Sequence, residues 1–209
     1  SKDFETLDRV LGREITKLEE LSKHGSSITG LATGFKDLDS ITAGFQPGNL
    51  LILAARPSMG KSAIAINIAE HIALRERKAV ALFSLEMSES EIAQRFLASQ
   101  SGVKGEDLRR GKVPDAKWSN VMKASKDLAA APVFIDDSSD IGILEIRAKA
   151  RRLHSQESAR GGLGMVIVDY MQLMRADGRI DSRVEAVGQM SRGLKILARE
   201  LNIPVMALS

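Results

Sequence analysis

The chain has 209 residues, of which 44% are hydrophobic and 27% charged, so we expect a globular domain of normal core size rather than a disordered chain. Its formal net charge of +3 permits contact with nucleic acid but does not by itself argue for it. The absence of cysteine excludes disulfides and thiolate-bound zinc, and no apolar run approaches the roughly 20 residues of a membrane span, so we expect a cytoplasmic protein.

The first predicted element is an amphipathic helix over residues 4–23. Because residues 25–27 (Gly-Ser-Ser) interrupt its pattern, we expect two units, the helix at 1–24 and a main domain at 25–209. An isolated apolar stripe needs a partner, so the helix either folds back on its own domain or docks on another subunit. The stripe consists of Phe4, Leu7, Val10, Leu11, Ile15, Leu18 and Leu21.

From residue 49 onward, short apolar runs alternate with helical patterns. This alternation predicts an α/β fold, in which a mostly parallel sheet carries helices on both faces and binds ligands at the carboxyl ends of its strands. We expect strands at 50–54, 79–83, 133–136, 165–168 and 203–208, and helices at 61–74, 90–101, 116–129, 143–155 and 184–201. Ser88 and Glu91 have the spacing of a capping box. Residues 161–164 and 177–182 are the most loop-like segments.

Residues 55–62 connect the first strand to the following helix and read ARPSMGKS. The pattern is typical of a phosphate-binding loop, with Ala55 where the first glycine is usual. In such a loop, backbone N–H groups surround the phosphates, Lys61 reaches the β- and γ-phosphates, and the Ser62 hydroxyl ligates Mg²⁺. The alternative is a chance Gly-Lys-Ser at a helix start. The candidate nucleotide-binding residues are Arg56, Pro57, Ser58, Met59, Gly60, Lys61, Ser62 and Ala63.

Two acidic strand ends compete to supply the carboxylate on the magnesium side. Asp169 ends the run Met-Val-Ile-Val-Asp, whereas Asp136 and Asp137 end the run Val-Phe-Ile-Asp-Asp. The more continuously apolar strand slightly favours Asp169. For Asp136 and Asp137 the alternative is a solvated strand end or a helix cap.

Glu86 is the candidate base for activating water. It follows the second strand at the edge where the phosphate-binding loop also lies, and the apolar Leu85 and Met87 beside it predict partial desolvation, which would make it a better base. An acid at a helix N-terminus, favoured by the helix dipole, explains the same residue equally well.

Four segments occur in a characteristic order: AARPSMGKS at 54–62, FSLEMS at 83–88, VDYMQLM at 168–174 and PVMALS at 204–209. TGFKDLD at 33–39 and AGFQPG at 43–48 precede all four. Together they resemble the successive motifs of bacterial replicative DNA helicases of the DnaB type, over essentially the whole chain. The resemblance implies a RecA-like P-loop NTPase core that uses ATP and Mg²⁺.

The resemblance also implies a role for each candidate residue. Asp169 matches the magnesium-side aspartate, and Glu86 matches the residue that activates water. Glu86 and Lys61 are therefore the catalytic candidates. Arg95 matches an arginine that packs against the nucleotide base. Helix 1–24 is similar to the linker helix that packs on a neighbouring subunit of a hexameric ring. The implied activity is 5′-to-3′ movement on single-stranded DNA and duplex unwinding in replication, with primase and a helicase loader as partners.

Several elements of the family are expected outside this chain. They include a γ-phosphate-sensing glutamine, a DNA-contacting loop and basic residues after Ser209, together with an amino-terminal primase-binding domain. We therefore expect a fragment, incomplete at its C-terminus, with little activity alone. The remaining candidates for DNA contact are Arg175, Arg179 and Arg183.

Other functions are compatible with a phosphate-binding loop. The main alternative is a RecA-like recombinase or a related DNA-stimulated ATPase. A phosphotransferase acting on a small hydroxyl substrate and a nucleotide switch without turnover are two more. We see no arginine-rich lid of the kind that small-molecule kinases carry.

Overall fold

The elements follow the predicted alternation of strands and helices in a computed structural model, which describes residues 4–24, 44–54, 61–169, 171, 174–178 and 182–209. The helices are α1 (Leu7–His24), α2 (Lys61–Glu70), α3 (Glu89–Ser101), α4 (Gly105–Arg109), α5 (Trp118–Ala129), α6 (Ile143–Gln156) and α7 (Arg183–Leu201). The strands are β1 (Leu50–Leu53), β2 (Ala79–Ser84), β3 (Val133–Asp136), β4 (Leu163–Asp169) and β5 (Val205–Leu208).

The five strands form one parallel sheet in the order β1-β5-β4-β2-β3. β4 lies at the centre, where it pairs with β2 and β5, and its residues 165–169 are buried. The mostly parallel α/β fold expected from the sequence is confirmed. Because all strands point the same way, their carboxyl ends meet at one edge of the sheet, which is the edge that binds ligands in such folds.

Side chains alternate between the two faces of the sheet, and each face carries its own apolar core. Val166 and Val168 of β4 pack with residues of α6 and α7 on one face. Met165 and Ile167 of the same strand pack with residues of α2 and α3 on the other. A strand buried on both faces needs apolar residues at every position, which explains why the strands appear in the sequence as continuous apolar runs.

Several local features differ from the expectation. The helix expected at 4–23 begins at Leu7, and the strand expected at 203–208 begins at Val205. The predicted helix 61–74 is α-helical only to Glu70 and continues as a π-turn at His71–Arg75, where the N–H of Glu76 donates to the carbonyl of His71. β4 begins two residues earlier than expected and includes Gly164 of the loop-like segment; a Cβ at this glycine would lie 2.6 Å from Cβ of Lys78. The short helix α4 was not predicted, since five residues give too little periodicity.

One of the two hydrogen bonds of the predicted capping box is present at the start of α3. The hydroxyl of Ser88 accepts a hydrogen bond of 3.2 Å from the N–H of Glu91. The same arrangement begins α7, where the hydroxyl of Ser182 accepts from the N–H of Glu185 at 3.1 Å. Both helices therefore start at a defined residue.

Helix α1 exposes its apolar stripe. Phe4, Leu7, Leu11, Ile15 and Leu18 are all at least half exposed, so the described part of the chain gives these side chains little apolar cover. Across the described ranges, no helix has the length and apolar character needed to cross a membrane.

Candidate functional site

The site forms where β2 and β4 end side by side. Ser84 of β2 is in register with Asp169 of β4, and both residues are buried. The backbone N–H of Leu85 donates a 2.8 Å hydrogen bond to the carbonyl of Asp169, which continues the pairing by one residue beyond the strands. This bond ties the segment after β2 to the end of the central strand.

Helix α2 brings a hydroxyl to the same strand end. The Oγ of Ser62, in the first turn of α2, donates to Oδ2 of Asp169 at 2.9 Å. A hydroxyl and a carboxylate supply oxygen ligands of the kind that Mg²⁺ prefers, and Mg²⁺ in nucleotide sites commonly uses one or two protein groups together with phosphates and water. Within the described ranges, no group of three acidic or histidine side chains is placed to hold a metal ion. Ser62 and Asp169 therefore fit a magnesium ion that is shared with a nucleotide.

The competing carboxylates have other partners. Asp136 accepts a 2.6 Å hydrogen bond from Nζ of Lys149 and a 2.9 Å bond from the N–H of Ser138. Burial alone would raise the pKa of Asp136, but these hydrogen bonds outweigh it and hold the pKa below its ordinary value. Asp137 Oδ2 accepts from the N–H of Glu89 at 3.0 Å and so caps α3. The geometry favours Asp169 for the magnesium side.

Glu86 lies in the turn that follows β2, between two buried residues. Leu85 and Met87 are each 6% exposed, whereas the side chain of Glu86 is exposed. The expectation that its apolar neighbours partly desolvate it is wrong for the single chain, because those neighbours point into the core and leave the carboxylate outside. Glu86 stands at the predicted edge, one residue beyond the bond that links Leu85 to Asp169.

A cleft of about 680 Å³ opens beside the first turn of α2. Ala63 and Asn67 of α2 line one side, Arg95 of α3 lines another, and Glu106 and Arg109 belong to α4. Since Ala63 directly follows Ser62, a nucleotide with its phosphates at Ser62 can place its base in this cleft. An exposed guanidinium such as that of Arg95 can stack on an aromatic base.

The remaining cleft residues were missed from the sequence. Asn67, Glu106 and Arg109 show no motif, and α4 is too short to be recognised by periodicity. They come near Arg95 only because α3 packs with both α2 and α4.

The three arginines that are candidates for DNA contact differ in exposure and in ion pairing. The exposed side chain of Arg175 lies 3.5 Å from Asp140 Oδ2 and 4.0 Å from Asp177 Oδ1, so two carboxylates offset its charge. Arg183 is exposed at the start of α7. Arg179 lies outside the described residues.

Most of the phosphate-binding loop also lies outside the described residues. This applies to Arg56, Pro57, Ser58, Met59 and Gly60, and to the side chain of Lys61. The described part of the site therefore consists of Ser62, Ala63, Glu86, Arg95 and Asp169.

Comparison with known proteins gives consistent matches. Residues 30–209 match the family model of the DnaB-like helicase C-terminal domain. The chain is 43% identical over 207 residues to the replicative DNA helicase DnaC of Bacillus subtilis and, equally, to the replicative DNA helicase DnaB of Geobacillus stearothermophilus. Each alignment covers 99% of this chain but 45% of the relative, so the chain spans less than half the length of these relatives.

Solved structures of similar proteins share the fold. A DnaB-like replicative helicase, described with its interactions with primase, superposes with a TM-score of 0.83 at 31% identity, over 100% of this chain and 49% of that one. A second solved structure, an ATPase domain, superposes with a TM-score of 0.85 at 31% identity, over 99% of this chain and 72% of that one.

Proposed function

The chain belongs to the family of DnaB-like helicase C-terminal domains, and from that premise we propose that it is the ATP-hydrolysing motor of a ring helicase that separates duplex DNA. The observation that carries the proposal is the contact between Ser62 and Asp169, at 2.9 Å. It places a hydroxyl and a carboxylate at the carboxyl edge of a parallel sheet, directly after a phosphate-binding motif.

The residues at the carboxyl edge of the sheet would each have a separate role in ATP binding and hydrolysis. The backbone of residues 56–60 would surround the phosphates, and Lys61 would reach the β- and γ-phosphates. Ser62 and Asp169 would hold Mg²⁺, which when bound neutralises charge on the phosphates. Arg95 would stack on the base in the cleft beside α2.

Glu86 would take a proton from the attacking water. The water oxygen bonds to the γ-phosphorus as the bond between that phosphorus and the β,γ-bridging oxygen breaks, which releases ADP and phosphate. The carboxylate of Glu86 is exposed in the single chain, so a water enclosed between a nucleotide and a neighbouring subunit could reach it.

Assembly into a hexameric ring would cover α1. Leu7, Leu11, Ile15 and Leu18 form an exposed stripe that needs an apolar partner surface. An open apolar cleft of about 300 Å³, lined by Phe96 and other residues of α3, α5 and β3, offers such a surface. We propose that α1 of one subunit docks on the ATPase domain of the next.

The ring would travel 5′-to-3′ on single-stranded DNA, with primase and a helicase loader as partners. Arg183, and Arg179 near it in sequence, would contact phosphates without reading base sequence. Arg175 lies near the carboxylates of Asp140 and Asp177, which offset part of its charge, so we expect a smaller contribution from it.

The test uses the whole protein that contains this chain. Lys61→Ala is expected to abolish DNA-stimulated ATP hydrolysis and strand separation while the circular dichroism spectrum and thermal unfolding stay unchanged. Lys123→Ala, which removes an exposed lysine of α5 that neither belongs to the motif nor lines the cleft, is the control. Unwinding that survives in Lys61→Ala would refute the proposal. Strand exchange without directional unwinding by the unmodified protein would support a recombinase instead.

A further inference from the structure

The turn that carries Glu86 is closed by a buried hydroxyl. Ser84, the last residue of β2, is 2% exposed. Its Oγ donates a 2.9 Å hydrogen bond to the carbonyl oxygen of Met87. The bond spans the two residues Leu85 and Glu86, so the side chain of Ser84 fixes the backbone on which Glu86 stands.

The same turn is anchored to the central strand. The N–H of Leu85 donates to the carbonyl of Asp169 at 2.8 Å, and the side chains of Leu85 and Met87 are buried on either side of Glu86. Rotation of the turn would break the hydrogen bond or expose apolar surface. The position of Glu86 relative to Asp169 therefore depends on backbone bonds and on the side-chain bond from Ser84.

The far end of the turn is held as well. The hydroxyl of Ser88 accepts from the N–H of Glu91, and Oδ2 of Asp137 accepts from the N–H of Glu89. These caps fix the start of α3. The bond from Ser84 is a side-chain hydrogen bond within the turn itself, between β2 and the start of α3.

We propose that Ser84 is a positioning residue for ATP hydrolysis, an inference that rests on the proposed role of Glu86 as the base. Its hydroxyl holds the turn closed, so that Glu86 stays at the sheet edge, next to Leu85, whose N–H bonds the carbonyl of Asp169. Without the hydroxyl, the carbonyl of the buried Met87 loses its hydrogen-bond donor. The turn is then expected to rearrange so that this carbonyl can bond water. Catalysis is sensitive to such a change, since a displacement of about 1 Å can cost on the order of 100-fold in rate.

The experiment measures DNA-stimulated ATP hydrolysis by the whole protein that contains this chain, in the presence of Mg²⁺. Ser84→Ala is expected to lower kcat by about 10- to 100-fold, with KM and the affinity for a fluorescent ATP analogue changed less than about twofold. Ser84→Thr keeps a hydroxyl and is expected to restore most of the rate. Ser101→Ala is the matched control, because Ser101 is also buried and its hydroxyl bonds a backbone group, the N–H of Val103, at the end of α3.

A double-mutant comparison separates positioning from simple destabilisation. If Ser84 acts through Glu86, Ser84→Ala has little further effect on the residual rate of Glu86→Gln. An equal fold-loss in both backgrounds, or a wild-type rate in Ser84→Ala, would overturn the inference. If Glu86→Gln itself hydrolyses ATP normally, the proposed base is wrong, which is a different failure from that of Ser84.

Discussion

The hydroxyl of Ser62 donates to Oδ2 of Asp169 at 2.9 Å, although 107 positions separate the two residues in the chain. Ser62 lies in the first turn of helix α2, and Asp169 ends the central strand β4. Because Asp169 is 3% exposed, its carboxylate is held in place rather than left to rotate in solvent. The contact joins the phosphate-binding motif to the strand end at which Mg²⁺ and nucleotide are proposed to bind.

Asp169→Asn is expected to raise the Mg²⁺ concentration needed for half-maximal ATP hydrolysis by about 10- to 100-fold, since the variant removes a negative charge from the proposed metal site. Titration of the ATPase rate with MgCl₂ measures the change. Asp127→Asn, at an exposed carboxylate on α5, is expected to leave the titration unaltered. An unshifted titration in Asp169→Asn would argue against the metal assignment.

Arg95→Ala is expected to raise KM for ATP by about 5- to 30-fold with little change in kcat, because stacking of a cation on an aromatic base contributes roughly 1–2 kcal/mol. Steady-state kinetics over a range of ATP concentrations gives both constants. Arg75→Ala removes an exposed arginine that does not line the cleft and serves as the control. A loss confined to kcat would place Arg95 in the chemical step rather than in base binding.

Leu11→Glu is expected to abolish the proposed hexamer of the whole protein without unfolding its subunits. The side chain of Leu11 is 51% exposed in the single chain, so a charge there costs little in the monomer but is buried if α1 docks on a neighbour. Size-exclusion chromatography with light scattering measures the mass. Arg9→Glu changes charge on the side of α1 opposite the apolar stripe and is expected to leave the proposed ring intact. A hexamer that persists in Leu11→Glu would mean that the stripe is not an interface.

Glu70→Gln is expected to stabilise the protein at neutral pH. Burial raises the pKa of Glu70 above its ordinary 4.5, and hydrogen bonds from Ser99 and Gln100 offset this only in part. A carboxyl group whose pKa is raised by folding contributes stability that is fully present below its pKa in the unfolded state. This contribution is lost as pH rises through its pKa in the folded state.

The gain in Tm from Glu70→Gln should therefore be larger at about pH 7 than at about pH 4. Thermal unfolding at both values measures the difference, with Glu20→Gln, at an exposed carboxylate on α1, as the reference. A gain that is the same at both pH values would show that ionisation of Glu70 is not its source.

Much of the fold could be predicted because the sequence patterns that mark strands and helix starts involve residues close together in the chain. Buried parallel strands need apolar residues on both faces, so β2 and β5 appear as uninterrupted runs, and the hydroxyl of Ser88 marks the start of α3. The sequence pattern predicts a loop at Gly164, but the structure places this glycine in β4. A glycine is needed there because Lys78, which lies just before β2 and is distant in the sequence, approaches it closely. The helix α4 has too few residues to show a period.

The sequence by itself determined the alternating fold, the phosphate-binding motif and the resemblance to a helicase family, because each depends on residues close together in the chain or on their order. The strand patterns left open which acidic strand end stands beside Ser62, the resemblance implied Asp169, and only the tertiary structure showed the contact. Asp169 and Asp136 both follow apolar strands, and their difference arises from sheet order: β4 lies at the centre, within reach of α2, whereas β3 lies at the edge, where Lys149 neutralises Asp136. Pairing between distant segments is a property of the packed sheet, and no local pattern encodes it.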